Sequence, residues 1–356
     1  MDYPGEKVLI RLLDLLQTGA GGIFGPWQEQ RIGLARTKAR IAERLLLEQA
    51  EIDVAELRSG RKKIDRTSGL LIENSPAPLL LTGPIEEDTY NQTLSNELTS
   101  EFAVSATSTA RANEIQQAIN LKRISLFAEE AAEEMDADVS QTSADGAVDP
   151  DWFSKWRISA QNVSREEMQR LWAKLLAGEV NQPGKFSMRA MEYLSNMSVD
   201  EADLLAKIGP FVTNGGIIKL DNKFLENKGI TFSDLLTLEE LALISSASSL
   251  GGISYKFGST EHKGEHLAHI LCHDSVLEVK MKQIKDETPE LTFAVINVTR
   301  TAIEILSLAD FEIDEQYLTE VAEKAVKKGA DKVQLGRLHT NRKNYDLIRT
   351  LATSDA

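Results

Sequence analysis

The chain has 356 residues but only one cysteine, Cys272, and only 6% aromatic residues. A single cysteine cannot close an intramolecular disulfide, so a small secreted disulfide scaffold is excluded and a reducing compartment is expected. No uninterrupted apolar run reaches the roughly 18 residues that a membrane-spanning helix needs. Positive charge is also in deficit: 40 Lys and Arg stand against 55 Asp and Glu, a formal net charge of −15. A protein that coats nucleic acid or anionic lipid by its bulk field is thereby excluded, while local basic patches stay open. What is present is a 42% hydrophobic content, enough for a sizeable core. The length suits about two domains, and the expected location is cytoplasmic.

Val8, Leu12, Leu15 and Leu16 fall on one face of a short N-terminal helix, read as docked on a core. An interfacial membrane helix extended by Ile23, Phe24 and Trp27 is the alternative. Residues 28–66 read as one long helix. Leu34, Lys38, Ile41, Leu45, Glu48, Ile52 and Ala55 recur there at four-three spacing, five of the seven apolar, as in a heptad seam. Such a seam pairs with a second copy or with helices of the same chain. The helix also carries Arg31, Arg36, Arg40 and Arg44 and ends in Arg61, Lys62 and Lys63. These are a solvated basic face or, in the functional reading, phosphate contacts.

Pro76, Pro78 and Pro84 break the helix over 67–93, and helix resumes over 97–134. No basic residue occurs between Arg123 and Lys155, and an acidic stretch marks a boundary near residue 145. Pro150 then opens a helix at its first position, and Ser164 with Glu167 fits a capping box before another. Met168, Leu171, Trp172, Leu175 and Leu176 give that second helix a continuous apolar face. Trp152, Trp156 and Trp172 read as helix packing, with an aromatic cage as the alternative. Further boxes are read at Ser198–Glu201 and Thr237–Glu240. After Gly252 the period changes to two, in Ile253–Tyr255–Phe257 and Leu277–Val279–Met281. Helices near 300–309 and 315–328 precede a basic tail with Lys332, Arg337, Arg342, Lys343 and Arg349.

The expected fold is therefore mainly α with a smaller α+β part. Long N-terminal helices span 1–145 and a Trp-rich helical core 146–210. A winged-helix-like part with a small antiparallel sheet spans 211–312, and a C-terminal helix with the basic tail spans 313–356.

Two apparent phosphate motifs fail. In GEVNQPGKFS five residues separate Gly178 from Gly184, and Phe186 follows Lys185 where Ser or Thr is required. In GAGGIFG, Phe24 stands where the last glycine of a dinucleotide fingerprint belongs. Four of the five histidines crowd into EHKGEHLAHILCHD. If that stretch folds back, His266, His269, Cys272 and His273 are the candidate ligands of a zinc ion. As an alternating hairpin it holds no metal. No catalytic residue and no other cofactor site stands out.

The segment from Asp149 to Leu205 resembles the bacterial family called domain of unknown function 2806, and more distantly the abortive-infection alpha proteins. The residues that carry the likeness include Trp152, Met168, Gln169, Leu171, Trp172, Gly178, Glu179, Pro183, Gly184 and Ser187, with Trp156 in the same stretch. The resemblance implies no catalytic residue and suggests a setting in bacterial defence against phage. Three functions are compatible with these features. The first is a non-enzymatic interaction protein that forms homo-oligomers through its N-terminal helices. The second is a nucleic-acid binder using residues 31–66 and the tail, although the helical stretch Ser233–Leu250 lacks any Lys or Arg to read a groove. The third is a metal-dependent enzyme at 262–273.

Overall fold

The computed structural model describes residues 6–19, 36–65, 68, 70–74, 87–134, 147–221, 223–248, 253–262, 264–282, 289–339 and 344–354. The readings placed on Ile23, Phe24, Trp27, Arg31, Leu34, the prolines at 76, 78 and 84, the acidic loop, Arg342 and Lys343 lie outside those residues. The chain divides into two compact units after Gly184.

The first unit is helical. Helices α1 (Glu6–Gly19) and α2 (Arg36–Arg58) precede a two-stranded hairpin, β1 (Lys62–Ile64) with β2 (Leu71–Glu73). Helix α3 (Glu87–Glu134) runs for 48 residues, about 72 Å at 1.5 Å per residue. Helices α4 (Pro150–Ala160) and α5 (Glu166–Asn181) complete the unit. Pro150 sits at the start of α4, and the Asp149 carboxylate caps it by accepting from the N–H groups of Asp151 and Trp152. The capping box at Ser164 does not form. The cap of α5 is Arg165, and Ser164 Oγ instead accepts from Asn120 Nδ2 on α3 at 3.4 Å. On α1, Val8, Leu9, Leu12 and Leu16 are buried in the core, packed towards α3 and α5.

The second unit overturns the expectation of a mainly helical chain with a small sheet. Among the described residues there are three antiparallel sheets, one of two strands in the first unit and two, of four and five strands, in the second. Helices α6 (Met188–Asn196) and α7 (Val199–Ile208) lead into β3 (Gly216–Ile218), α8 (Phe224–Asn227), α9 (Phe232–Glu240) and β4 (Ile244–Ser245). The remaining strands are β5 (Ile253–Phe257), β6 (Ser259–His262), β7 (Glu265–Cys272), β8 (Ser275–Met281) and β9 (Leu291–Val298). After α10 (Arg300–Leu306) and α11 (Glu315–Lys327) come β10 (Ala330–Leu338) and β11 (Tyr345–Thr353). One sheet centres on β9, flanked by β3 on one side and by β4 and β5 on the other. The larger has the order β11-β10-β8-β7-β6.

The segment read as a basic tail supplies two of those five strands. Its cations misled because they alternate with apolar residues: Ala330, Val333 and Leu335 point into the core while Lys332 and Gln334 do not. A period of two carries that information, and bulk charge does not. The box at Ser198–Glu201 forms as read, but α9 is capped by Thr231 with Asp234 rather than by Thr237. Helix α11 ties both sheets to one core. Its fully buried Tyr317 accepts from the Ile218 N–H of β3 at 2.7 Å, and Leu318, Val321, Ala322 and Ala325 pack beneath β8 and β10.

Candidate functional site

Helix α2 has two apolar faces, and only one of them is used. At about 100° per residue, Leu47, Ala50, Val54 and Leu57 share one side. They pack with Ala112, Ile115 and Ile119 of α3 and with Ile64 and Leu71 of the hairpin. Ile41, Leu45 and Ile52 fall within about 40° of one another on the opposite side. All three are more than half exposed, Leu45 at 67%. They occupy positions of the four-three seam, with Glu48 between them and Ala55 beyond, both exposed. An apolar stripe at heptad spacing left in water is what an unfilled helix partner site looks like.

Three of the basic residues of this region are already engaged. Arg40 binds Glu133 of α3 through Nη2 at 2.6 Å and lies 3.7 Å from Glu129, and the Glu133 contact raises its pKa further. Arg44 pairs with Glu130 and lies over the Phe127 ring. Lys62 reaches Asp53 at 2.9 Å and Glu56 at 2.6 Å. Lys63 and Arg61 are exposed, and Arg36 opens α2. A phosphate would have to displace carboxylates from three of these six candidates, which weakens the reading of this face as a nucleic-acid footprint. Helix α9 presents no Lys or Arg at all.

The motif residues build the scaffold beneath. Trp152, Trp156 and Trp172 are buried, and Trp156 donates its indole N–H to the Trp172 carbonyl at 3.2 Å. No ring face is open to a ligand as a cage would require. Met168 and Leu171 are half-buried on the apolar side of α5, where Gly178 is also enclosed. Gln169 donates to the Val163 carbonyl at 2.8 Å, and Asn120 donates to the Gln161 carbonyl at 2.9 Å. These two amides pin the α4–α5 turn onto α3. Glu179 is 2% exposed and accepts from the Gly184 N–H at 2.6 Å, holding the turn after Pro183 in which Gly184 takes φ +83°. In the second unit Ser187 caps α6, and its N–H and hydroxyl both donate to Glu304, at 2.8 and 2.7 Å.

The four histidine-segment residues proposed as zinc ligands are not brought together. His266, His269 and Cys272 lie on β7 and His273 in the turn that follows. Six residues of strand separate His266 from Cys272 by about 20 Å. Ligands of one zinc ion each lie about 2.0–2.3 Å from it. Alternation sends Cys272 to the core and His269 to the opposite face. His273 Nε2 meets the Gly209 carbonyl at 2.8 Å, and Cys272 Sγ faces the Pro210 carbonyl at 3.8 Å. Burial pushes the Cys272 thiol up to about 12, so it is held protonated, the opposite of a metal-binding thiolate. Among the described residues no group of three or more His, Cys, Asp or Glu side chains converges as metal ligands.

A polar cluster was missed by the sequence reading. Tyr345 of β11 donates its hydroxyl proton to Glu278 of β8, and His269 Nε2 lies 2.9 Å from the same oxygen. The one available signal was the cross-strand pairing of His269 with Glu278. Nothing in sequence placed Tyr345 beside them.

A family model described as "Protein of unknown function (DUF2806)" matches residues 106–322, more than half of the chain. The chain belongs to this family. No curated protein and no solved structure matches it. The DUF2806 span starts inside α3 and takes in the buried tryptophans, the Glu179–Gly184 turn and the Ser187–Glu304 contact. The exposed stripe of α2 lies before it. Among the described residues no helix is long and apolar enough to cross a membrane.

Proposed function

We propose that this protein works by binding protein chains rather than by turning over a substrate, and that it self-associates through its N-terminal helices. The observation that carries this reading is the stripe Ile41, Leu45 and Ile52, exposed at heptad spacing on a helix whose other face is already packed. The polar residues of the family motif support it, because Glu179, Gln169 and Ser187 serve to hold turns and helix ends. Burying one such apolar side chain contributes about 1.5–3 kcal/mol. Six across a two-fold contact give about 9–18 kcal/mol before exposure in the pair is discounted, against an association cost of about 4–15 kcal/mol. The oligomer is therefore concentration-dependent.

The setting that fits is the bacterial cytoplasm. There the likeness of the Trp-rich motif to abortive-infection alpha proteins favours a part in defence against phage. Light scattering over roughly 1–100 µM protein tests the association. The mass rises towards a dimer, and Leu45→Glu weakens association more than about tenfold by placing two like charges in the contact. A monomer mass across that range would overturn the reading. Phage plating on cells with and without the gene tests the setting, and equal plating of a broad phage panel removes it.

A further inference from the structure

The charges of α2 are segregated along its length. From Arg36 to Arg44 the helix carries Arg36, Lys38, Arg40 and Arg44 with Glu43 as its single acid. From Glu48 to Glu56 it carries Glu48, Glu51, Asp53 and Glu56 with no base. Two copies laid parallel would set base against base and acid against acid. Two copies laid antiparallel set each basic half against an acidic half. The same complementarity already operates inside the chain, where Arg40 and Arg44 meet Glu129, Glu130 and Glu133 of α3 while Glu48 and Glu51 meet Arg123.

The stripe fixes the register as well as the direction. In an antiparallel pair of heptad helices an a position faces a d position. Taking Leu45 and Ile52 as a, and Ile41 and Glu48 as d, one alignment satisfies every layer at once. Ile41 faces Ile52 of the second copy, and Leu45 faces Glu48 of the second copy. Glu48 is the one charged residue within the stripe, is 68% exposed and is held from its own side by Arg123 at 3.2 Å. In a parallel pair Glu48 would instead face Glu48 of the second copy, setting two like charges in one layer.

We infer that the α2 stripe is covered by the α2 stripe of a second copy of this chain, antiparallel, about a two-fold axis passing near Leu46 and Leu47. This rests on the self-association reading above and deepens it, giving the partner, the direction and the register. The interface is isologous, so it closes at a dimer.

Cysteine cross-linking reads direction directly, and the wild-type chain suits it because its single cysteine is buried. Ile41 and Ile52 are both more than half exposed, so cysteine at either site leaves the fold intact. Full-length Ile41→Cys and Ile52→Cys proteins are mixed under mild oxidation. The expected result is a disulfide-linked heterodimer in the mixture and little cross-linking of either protein alone. In the antiparallel register the two copies of residue 41 are displaced by 11 residues, about 16 Å along the helix axis at 1.5 Å each, too far for a disulfide. Efficient cross-linking of Ile41→Cys to itself overturns the antiparallel inference while self-association stands. A dimer by light scattering with no cross-link in any combination also overturns it, since another face then makes the contact. A monomer by light scattering overturns the self-association reading itself.

Discussion

His269 and Tyr345 stand on β7 and β11 with β8 and β10 between them, yet His269 Nε2 lies 2.9 Å from the Tyr345 hydroxyl. Three strand spacings of about 4.8 Å separate their backbones by about 14 Å, so both side chains must lean across the sheet. Glu278, on the intervening β8, fixes the proton positions. A phenol has one proton, and Tyr345 gives it to the Glu278 carboxylate. The Nε2 of His269 must then be the donor to the Tyr345 oxygen, which leaves Nδ1 bare in the neutral ring. Burial and the adjacent Glu278 push the Tyr345 phenol above its usual range, so it stays protonated and does not act as a nucleophile.

A pH dependence of stability follows. Burial lowers the pKa of His269, with Glu278 working against the shift. The folded chain therefore binds this proton less readily than the unfolded chain, whose histidine titrates near 6.5. The stability is fully present above about pH 6.5 and is lost as pH falls through that value towards the depressed folded-state pKa. Urea denaturation of the wild type should show a falling midpoint over that window. His269→Gln should flatten the fall, and Glu278→Gln, which removes the opposing charge, should steepen it. Identical pH profiles for wild type and His269→Gln would rule out this assignment.

Cys272 should resist both thiol reagents and metal. Its thiol is buried and pushed up to about 12, so the reactive thiolate is scarce at neutral pH. Maleimide labelling of the native protein should be slow and should reach one equivalent only in denaturant. Metal analysis should find no stoichiometric zinc in wild type or in the His266→Ala/His269→Ala pair. One bound zinc per chain that the double variant loses would restore the metal site.

The carboxylate of Glu179 should be worth more than its surface neighbours. It accepts from the Gly184 N–H, and a charged acceptor of this kind contributes about 1.5–3 kcal/mol. Glu179→Ala should therefore lower stability by about that much. Gly184→Ala meets no atom within 4 Å but must adopt φ +83°, at about 1–2 kcal/mol. Chemical denaturation of both variants checks this. A neutral Gly184→Ala would show that the turn does not require the left-handed conformation.

The sequence was most informative where period and burial agree. The seam Ile41, Leu45, Glu48, Ile52 and Ala55 is visible as spacing, and its exposure on α2 is what gives it meaning. The buried Trp152, Trp156 and Trp172 were visible as helix packing. The large sheet was not, because β10 and β11 carry Lys332, Arg337 and Arg349, and charge alone made a strand pair look like a tail. Polar contacts between distant segments were equally hidden. Ser187 and Glu304 are 117 residues apart in sequence, and His269 and Tyr345 are 76 apart. A single sequence has no local term that links such pairs.

Gly336 leaves room for the Tyr345 ring in the His269–Tyr345–Glu278 arrangement. It lies on β10, between the strands that carry Glu278 and Tyr345. A Cβ placed there would sit 3.0 Å from the Tyr345 ring, 3.0 Å from the Asp346 carbonyl oxygen and 3.1 Å from a Val276 methyl. The Tyr345 ring thus crosses the sheet over the one residue of β10 that leaves it room. In Gly336→Ala the Tyr345 ring and the Asp346 carbonyl have to give by a few tenths of an ångström, and overpacking of this kind costs about 1–3 kcal/mol. Shifting the ring also parts the Tyr345 hydroxyl from Glu278 and His269 and lets water reach the imidazole, which relaxes the pKa of His269 towards its ordinary value. Gly336→Ala should therefore lose stability at pH 7.5 and flatten the acid-side fall, as His269→Gln does. NMR titration of the histidine ring protons reads the second effect independently of stability. An unchanged His269 titration in folded Gly336→Ala would show that the ring keeps its place without the glycine.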